Sequence, residues 1–249
     1  MNAFIMVRKG SERVADKNIK SFGDTNLLEL KISKLKECKK IDSILVSSNC
    51  DKSLSIAKKN GCLIDERPEE HCSSEAKPKD LYRYMAWTLK NTFPEDEYFL
   101  SASVCYPFIK SKTYDDIVRI FNENYSPSLD GYSSVNYVSS LSACHLVKEN
   151  LWKREREIIS LDREGPIYVP TYEAMNYTPG EQPASQNLPD VCSVSFGAII
   201  TSADTLAEGD LLGKHPDFYD LSKYESLDID DPQDFAVAEV LYKNYKEVF

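Results

Sequence analysis

The 249-residue sequence lacks features that mark several functional classes. No apolar run approaches the roughly 20 residues of a membrane-spanning helix, and Met1–Ile5 leads into a strand pattern rather than a signal peptide. Positive charge is in deficit, with 30 Lys and Arg against 40 Asp and Glu. The resulting net charge of -10 argues against non-specific nucleic-acid binding. We therefore expect a globular cytoplasmic protein without a membrane or nucleic-acid partner.

Metal-binding cysteine pairs are also missing. The seven cysteines are scattered and contain no Cys-x-x-Cys pair, which disfavours structural zinc. With 42% hydrophobic residues, a chain of this length can bury a large core without disulfides or metal. We expect packed, reduced thiols.

A basic loop follows the first apolar run, Ala3–Val7, which has the pattern of a buried strand. The loop is neither a Walker loop nor a Gly-x-Gly-x-x-Gly turn. Converging cations and backbone N–H groups beside a glycine and a serine suit a polyphosphate. A solvated basic turn is the alternative. The residues concerned are Arg8, Lys9, Gly10, Ser11, Arg13 and Lys17.

Strand and helix patterns alternate after this loop. Strand patterns cover residues 41–48, 62–64 and 97–103, and helical patterns begin near Leu27, Asp51, Pro78 and Thr113. Asp51 and Thr113 are expected N-caps. The alternation predicts an α/β fold with a parallel sheet. Ligands of such sheets bind beyond the carboxyl ends of the strands, where the basic loop lies.

A second polar motif lies near the end of the chain. Asp228 and Asp230 alternate along a predicted short strand, so their carboxylates share one face. Two close carboxylates repel each other unless a cation lies between them, and Mg²⁺ prefers such oxygen ligands. A helix N-cap at Asp230 or Asp231 is the alternative, but it would leave Asp228 unexplained.

From Val7 to about Leu241 the sequence resembles the acylneuraminate cytidylyltransferases, which join sugar acids to CMP. Their first motif, Arg-x-Gly-Ser-x-Arg-x-Pro-x-Lys-Asn, matches at six positions, with Ala15 in place of proline. The matching residues are Arg8, Gly10, Ser11, Arg13, Lys17 and Asn18. The Asp-x-Asp that binds the catalytic metal in that family matches Asp228 and Asp230.

The resemblance implies a Rossmann-like nucleotidyltransferase fold in one domain, residues 1–249. The central sheet would be mostly parallel, with helices on both faces and a protruding dimerisation arm at about residues 132–190. The protein would be a homodimer, and an active-site lid is the alternative role for this segment. The candidate interface aromatics are Trp152, Tyr168, Tyr172 and Tyr177.

The resemblance also implies roles for individual residues. Lys17, Arg13, Asp228 and Asp230 would be catalytic, and the two aspartates would hold Mg²⁺. The nucleotide would bind Arg8, Lys9, Gly10, Ser11, Arg13, Lys17, Asn18 and Arg67. Arg67 could instead be a surface arginine that closes a turn.

The acceptor would contact Ser103, Gln186 and Phe196, although Phe196 and Gln186 could equally serve packing or a turn. Ser103 stands at the position of a glutamine in the family. Residues 73–75 are Ser-Ser-Glu, in a region where family members commonly have an aspartate.

The implied function is transfer of CMP from CTP to a hydroxyl of a nonulosonic or related 2-keto sugar acid, with release of pyrophosphate, for a surface glycan. One alternative is a cytidylyltransferase of the same fold that uses a phosphonate or a sugar phosphate. The other is a non-catalytic nucleotide- or glycan-binding homologue.

Overall fold

The computed structural model describes residues 1–11, 13–73, 75–124, 140–147, 152–162, 165–178, 180–181, 183–188 and 191–245. For residues 147, 152–162, 165–173 and 185 it describes the backbone alone. The chain divides into two compact units. The first comprises residues 1–145 and 194–249, and the second comprises residues 146–193.

The main sheet contains seven strands in the described part of the chain. They are β1 (Asn2–Met6), β4 (Ile44–Ser48), β5 (Leu63–Glu66), β6 (Tyr98–Ala102), β7 (Ser140–Val147), β10 (Val191–Ser202) and β11 (Pro216–Asp220). Their order in the sheet is β11-β7-β10-β6-β1-β4-β5. Two short strands, β2 (Ser21–Phe22) and β3 (Thr25–Asn26), form a separate antiparallel pair.

Parallel pairing dominates this sheet. Strand β1 runs parallel to both β4 and β6, and β4 runs parallel to β5. Strand β11 runs parallel to β7, whereas β10 pairs antiparallel with β6. The prediction of an α/β fold with a mostly parallel sheet is confirmed.

Helices cover both faces of the sheet. They are α1 (Leu27–Glu37), α2 (Asp51–Lys59), α3 (Pro78–Thr92), α4 (Ser111–Asn124), α5 (Ala203–Ala207) and α6 (Pro232–Asn244). Alternation along β1 explains the two layers, because Ala3 and Ile5 pack with the cluster that includes α1, α4 and α6. Phe4 packs on the opposite side with α3 and α5. None of the helices in the described ranges combines the length and the apolar character needed to cross a lipid bilayer.

Three local predictions were wrong. Helix α2 has Cys50 at its N-cap position, and Asp51 is the first helical residue. Helix α4 begins at Ser111, so Thr113 lies inside it and donates its hydroxyl to Glu225 at 2.5 Å. Residues 228–230 do not form a strand. All seven cysteines are free thiols.

The second unit contains an antiparallel pair of strands, β8 (Trp152–Asp162) and β9 (Gly165–Ala174). Their pairing is irregular between Ile158 and Ser160. A short 3₁₀ turn, Ser185–Asn187, follows. The first part of the predicted arm, residues 132–139, lies outside the described residues.

Candidate active site

The basic loop begins at the carboxyl end of β1. The backbone N–H of Lys9 donates to Asn49 Oδ1 at 2.8 Å, and the buried side chain of Val14 anchors the middle of the loop. Gly10 has a φ of +75°, and a Cβ at this position would meet nothing within 4 Å. The left-handed backbone, rather than lack of space, therefore favours glycine here.

An open cleft of about 510 Å³ lies beside this loop. It is lined by Met6, Val7, Arg8, Ser11, Arg13, Lys17, Asn18, Arg67, Leu81, Ser103, Val104, Cys105 and Asp230. The cleft lies beyond the carboxyl ends of β1 and β6. From β1 the chain proceeds to β4 on one side and later returns to β6 on the other. Such a switch point is where ligands of α/β sheets bind.

Residues from the two ends of the sequence meet in this cleft. Arg13 Nη2 lies 3.0 Å from Asp230 Oδ1, and Lys17 Nζ donates to the Ile229 carbonyl at 2.6 Å. The Lys17 side chain is buried, whereas both partners of the Arg13–Asp230 pair are more than half exposed. An exposed ion pair contributes about 1 kcal/mol or less, so phosphate oxygens can replace Asp230 as the partner of Arg13 at little cost.

Two further arginines connect this loop to the segment after β5. Arg8 donates to the Cys72 carbonyl at 3.0 Å, and Arg67 donates to the Val7 carbonyl at 2.7 Å and to Cys72 Sγ at 2.9 Å. Arg67 is only 4% exposed, so it is not a surface arginine. Its Nη1 is buried without a hydrogen-bond partner. Because an unpaired buried N–H is costly, an anionic or carbonyl oxygen at this point would be stabilised.

The N-cap alternative accounts for some of the acidic residues near the end of the chain. Asp231 caps α6 by accepting from the backbone N–H groups of Gln233 and Asp234, at 2.7 and 2.9 Å. Asp234 accepts in return from the Asp231 N–H, which completes a capping box. The side chains of Asp228 and Asp230 take no part in this cap.

Asp228 has an unusual environment for a carboxylate. Its pKa is raised by burial and, to a lesser degree, by the charge of Asp230, while the neighbouring Tyr106 and the charge of Lys17 act in the opposite direction. Its Oδ1 atom is buried without a hydrogen-bond partner. A cation beside the two carboxylates would relieve both effects.

The donor set therefore fits a magnesium ion that is held only partly by the protein. In the described part of the chain, no group of three or more His, Cys, Asp or Glu side chains is placed to hold a metal. Mg²⁺ commonly binds through one or two carboxylates, with water and substrate phosphates completing its shell. Asp228 and Asp230 suit that mode of binding.

One of the predicted acceptor residues is among the described residues that line the cleft. Ser103 lines the cleft, where its hydroxyl accepts from the Cys105 N–H at 3.2 Å. Phe196 is 48% exposed and is not among the residues that line the cleft, and Gln186 belongs to the second unit. Lys9, Gly10 and Asp228 also lie outside the lining.

Sequence reasoning missed two buried polar residues near this site. Burial and the negative charge of Asp228 raise the pKa of Tyr106, but this residue lies in the loop before Pro107 and carries no periodic signal. Lys31 is 1% exposed and donates to the Tyr106 carbonyl at 2.8 Å. Helical spacing could have identified Lys31, because it lies four residues from both Leu27 and Leu35, which are buried.

Comparison with solved structures identifies proteins of similar fold. A CMP:2-keto-3-deoxy-manno-octonic acid synthetase complexed with CTP is 9% identical with a TM-score of 0.59, over 96% of this chain and 97% of that chain. A cytidylyltransferase from Leptospira borgpetersenii serovar Hardjo-bovis is 17% identical with a TM-score of 0.59, over 98% and 87% of the two chains. A 4-diphosphocytidyl-2C-methyl-D-erythritol synthase from Anaerococcus prevotii is 13% identical with a TM-score of 0.59, over 98% and 96%.

These sequence identities are too low to show more than a similar fold. Nothing matches the chain in a comparison with curated protein sequences. A family model described as cytidylyltransferase, however, matches residues 3–248, which is nearly the whole chain. The protein therefore belongs to the cytidylyltransferase family, a family of nucleotidyltransferases that use CTP.

Proposed function

We propose that the protein transfers CMP from CTP to a hydroxyl of a nonulosonic or related 2-keto sugar acid and releases pyrophosphate. The observation that carries this proposal is the meeting of Arg13 and Lys17 with residues 229–230 in one cleft at the switch point of the sheet. Cations alone would suit any polyphosphate. Cations beside two aspartates whose side chains do not cap a helix suit a nucleoside triphosphate that binds with a metal ion.

The triphosphate would bind along the basic loop. Arg13, Ser11 and Arg8 line the cleft and offer guanidinium, hydroxyl and backbone donors. Lys17 donates one of its three N–H groups to the Ile229 carbonyl, so two are available for phosphate oxygens. Arg67 would meet an oxygen of the nucleotide with its unpaired Nη1.

Asp228 and Asp230 would hold the Mg²⁺, which when bound neutralises phosphate charge and acts as a Lewis acid. In the free protein Arg13 balances the charge of Asp230, so nucleotide and metal would bind together as Arg13 turns towards the phosphates.

The chemical step would be an in-line attack of the sugar hydroxyl on the α-phosphorus. The oxygen–phosphorus bond to the sugar forms as the α–β bridge breaks, and pyrophosphate leaves. Lys17 and Arg13 would stabilise the negative charge that develops on the phosphates. Catalysis would rest mainly on positioning and electrostatic stabilisation. The proton of the attacking hydroxyl would pass to a carboxylate near the metal, and Asp230 is a carboxylate that lines the cleft.

The keto-acid acceptor is supported by the resemblance of the first and last motifs to acylneuraminate cytidylyltransferases. The likeness to a synthetase of a CMP-activated 2-keto sugar acid agrees with it. A second candidate is transfer of CMP to a phosphate or phosphonate acceptor. It is favoured by Ser103 at the expected glutamine position and by the equal TM-score to an enzyme whose name indicates a diphosphate-linked cytidine.

A pyrophosphate-release assay separates these candidates. CTP, UTP, ATP and GTP are each supplied with Mg²⁺ and a panel comprising nonulosonic acids, a shorter 2-keto sugar acid, a sugar phosphate and a phosphonate. We expect release only with CTP and a keto acid, and loss of release with EDTA. Turnover confined to acceptors without a keto acid would establish the second candidate. Binding of CTP without release in any combination would indicate a non-catalytic homologue.

We further propose that the protein is a homodimer in which the segment at about residues 132–190 forms the arm. Trp152, Tyr168, Tyr172 and Tyr177 are its candidate interface aromatics. The support is the resemblance together with the long strand pair β8–β9, whose strands pair only with each other among the described residues.

A further inference from the structure

We infer that Cys72 is a positioning residue that fixes the Arg67 guanidinium for nucleotide binding, an inference that rests on the proposed function. Both side chains are buried. Arg67 lines the cleft, whereas Cys72 is not among the described residues that line it. The motif resemblance assigns no role to Cys72.

A tight turn brings Cys72 back against Arg67. The Arg67 N–H, just after β5, donates to the Ser48 carbonyl at the end of β4 at 3.0 Å. A 3₁₀ turn, Glu69–His71, follows, and the Cys72 N–H donates to the Glu69 carbonyl at 2.9 Å. The backbone is therefore fixed on both sides of the turn, and the thiol lies beside a side chain five residues earlier in the chain.

The three nitrogens of the Arg67 guanidinium have different surroundings. Nε donates to Cys72 Sγ at 2.9 Å, and Nη2 donates to the Val7 carbonyl at 2.7 Å. Nη1 is buried and has no hydrogen-bond partner among the described residues. Because a guanidinium is planar and rigid, two bonds to separate groups fix both its position and its rotation. Nη1 is then the nitrogen left for an oxygen of the nucleotide.

A thiol can hold this guanidinium without neutralising it. The Cys72 thiol directs its own hydrogen towards the Arg67 carbonyl, a long contact of 3.9 Å, so that the sulfur accepts from Nε. Sulfur is a weak acceptor. A carboxylate in its place would form a strong charge-assisted bond and compete with phosphate for the guanidinium. With a thiol, the charge of Arg67 stays available to an anionic ligand.

Cys72 also contacts the second arginine of this segment, but through its backbone. Its carbonyl accepts from Arg8 Nη1 at 3.0 Å. Cys72→Ala removes the thiol and keeps this carbonyl, so the variant isolates the contact with Arg67. Without the sulfur, Nε loses its partner and the guanidinium of the ligand-free protein is less fixed. Ordering it then becomes part of the cost of binding the nucleotide.

The test compares Cys72→Ala with wild type, with Cys72→Ser and with Cys38→Ala. Serine keeps an acceptor at the position of the sulfur. Cys38 is also buried, and its thiol donates to the Lys34 and Ser111 carbonyls at 3.2 and 3.3 Å. Cys38→Ala therefore matches the loss of a buried, bonded thiol without removing a contact to Arg67. Thermal unfolding of each variant measures the structural cost separately.

The first readout is the dissociation constant of CTP, measured by titration calorimetry with Mg²⁺ and without an acceptor. We expect Cys72→Ala to weaken CTP binding about three- to tenfold, which is the cost of ordering one long side chain. Cys72→Ser should recover most of this loss. Cys38→Ala should lower the unfolding midpoint and bind CTP as wild type does.

The second readout is pyrophosphate release. The KM for CTP of Cys72→Ala should rise by the same factor as the dissociation constant, with kcat near that of wild type. This division is expected because the thiol fixes a group that binds the nucleotide equally before and during the chemical step. A general structural defect would instead lower kcat as well.

A double-mutant cycle tests whether the thiol acts through Arg67. Arg67→Met removes the guanidinium and keeps a long side chain. In that background Cys72→Ala should change CTP affinity by less than about twofold, because no guanidinium remains to be fixed. An equal loss in both backgrounds would overturn the inference. If Arg67→Met does not fold, the serine variant decides, and a Cys72→Ser as weak as Cys72→Ala overturns it.

The inference is also overturned if a folded Cys72→Ala binds CTP as wild type does, if Cys38→Ala weakens binding equally, or if the wild type binds no CTP. The proposed function fails separately. If CTP binding follows the expected pattern but no acceptor supports pyrophosphate release, Cys72 keeps its positioning role and the proposed reaction is rejected.

Discussion

Lys17 differs from the other cations of the basic loop in being buried. Arg13 and Lys9 are exposed and Arg8 is half-buried, whereas Lys17 is 9% exposed with its Nζ on a backbone carbonyl. A buried ammonium that has a neutral partner is attracted strongly to an anion. The geometry therefore makes Lys17 the cation that a bound phosphate would engage most strongly.

We expect Lys17→Ala to slow turnover at least about 100-fold, near 2.7 kcal/mol, because it removes a cation beside the breaking bond. Pyrophosphate release at saturating CTP measures the effect. Lys20→Ala is the matched control, because it removes the same charge a short distance further along the chain. The Lys20 ammonium lies over the Phe235 ring, 4.7 Å from its centroid. Near-normal turnover in Lys17→Ala would remove this residue from the mechanism.

Asp228 should show a trade-off between activity and stability. Since its pKa is raised in the folded state, the ionised side chain destabilises the metal-free protein at neutral pH. This penalty disappears as pH falls through the raised folded-state pKa, because the folded protein then binds the proton more tightly than the unfolded chain does. Asparagine removes the charge and keeps nearly the same shape.

For Asp228→Asn we expect turnover at least about 100-fold slower and a higher unfolding midpoint in EDTA at neutral pH. The gain in stability over wild type should shrink on acidification. Pyrophosphate release and thermal unfolding across pH measure the two effects. Asp231→Asn is the control, because it neutralises a neighbouring carboxylate and keeps a good N-cap. A variant less stable than wild type at every pH would contradict the burial argument.

At the scale of single residues, the sequence revealed charge but not environment. Arg67 was predicted to bind the nucleotide, and its alternative was a surface turn. Its burial and its bond to the Val7 carbonyl depend on a segment 60 residues away. The hydrogen bond from the Ile229 N–H to the Cys105 carbonyl spans a still longer separation. Such pairings have no local periodicity, so only the fold reveals them.

At the scale of elements, alternating patterns were sufficient to predict the sheet. Strands β1, β4 and β6 follow from short apolar runs, and α3 begins at Pro78 as predicted. Helix starts were harder to predict, because competing partners decide them. Thr113 can cap a helix, but Glu225 takes its hydroxyl and the helix begins two residues earlier. Asp228–Asp230 failed as a strand because the segment bonds through Ile229 to a loop and to Lys17.

Packing of the loop after β6 onto β10 makes Gly197 more sensitive to substitution than Gly10. We expect Gly197→Ala to reduce the free energy of unfolding by about 1–3 kcal/mol, since its Cβ would overlap the Tyr106 ring and Ile109. Gly10→Ala meets open space and bears only the left-handed backbone cost of about 1 kcal/mol. Urea unfolding measures both. Equal losses of unfolding free energy in the two variants would show that β10 shifts to accommodate the extra methyl group.

At the scale of the whole molecule, the strand pair β8–β9 raises the question of partners. An isolated two-stranded hairpin is at best marginally stable in water, and these strands are 11 and 10 residues long. Within the described residues they form a sheet of two. In the homodimer that we propose, a second copy of the chain would pack against this pair. In the alternative, a lid, the pair would act on the cleft of its own chain.

We expect sedimentation to give twice the chain mass of 28.3 kDa for wild type. A variant in which a short Gly-Ser linker replaces residues 152–174 should sediment as a monomer, because it lacks the proposed dimerisation arm. Circular dichroism and CTP binding would verify that its first unit is folded. A monomeric wild type at micromolar concentration would reject the arm. If wild type were a monomer and removal of the hairpin abolished turnover of CTP, the segment would act as a lid over its own cleft. The hairpin would then be needed to close the site rather than to join two chains.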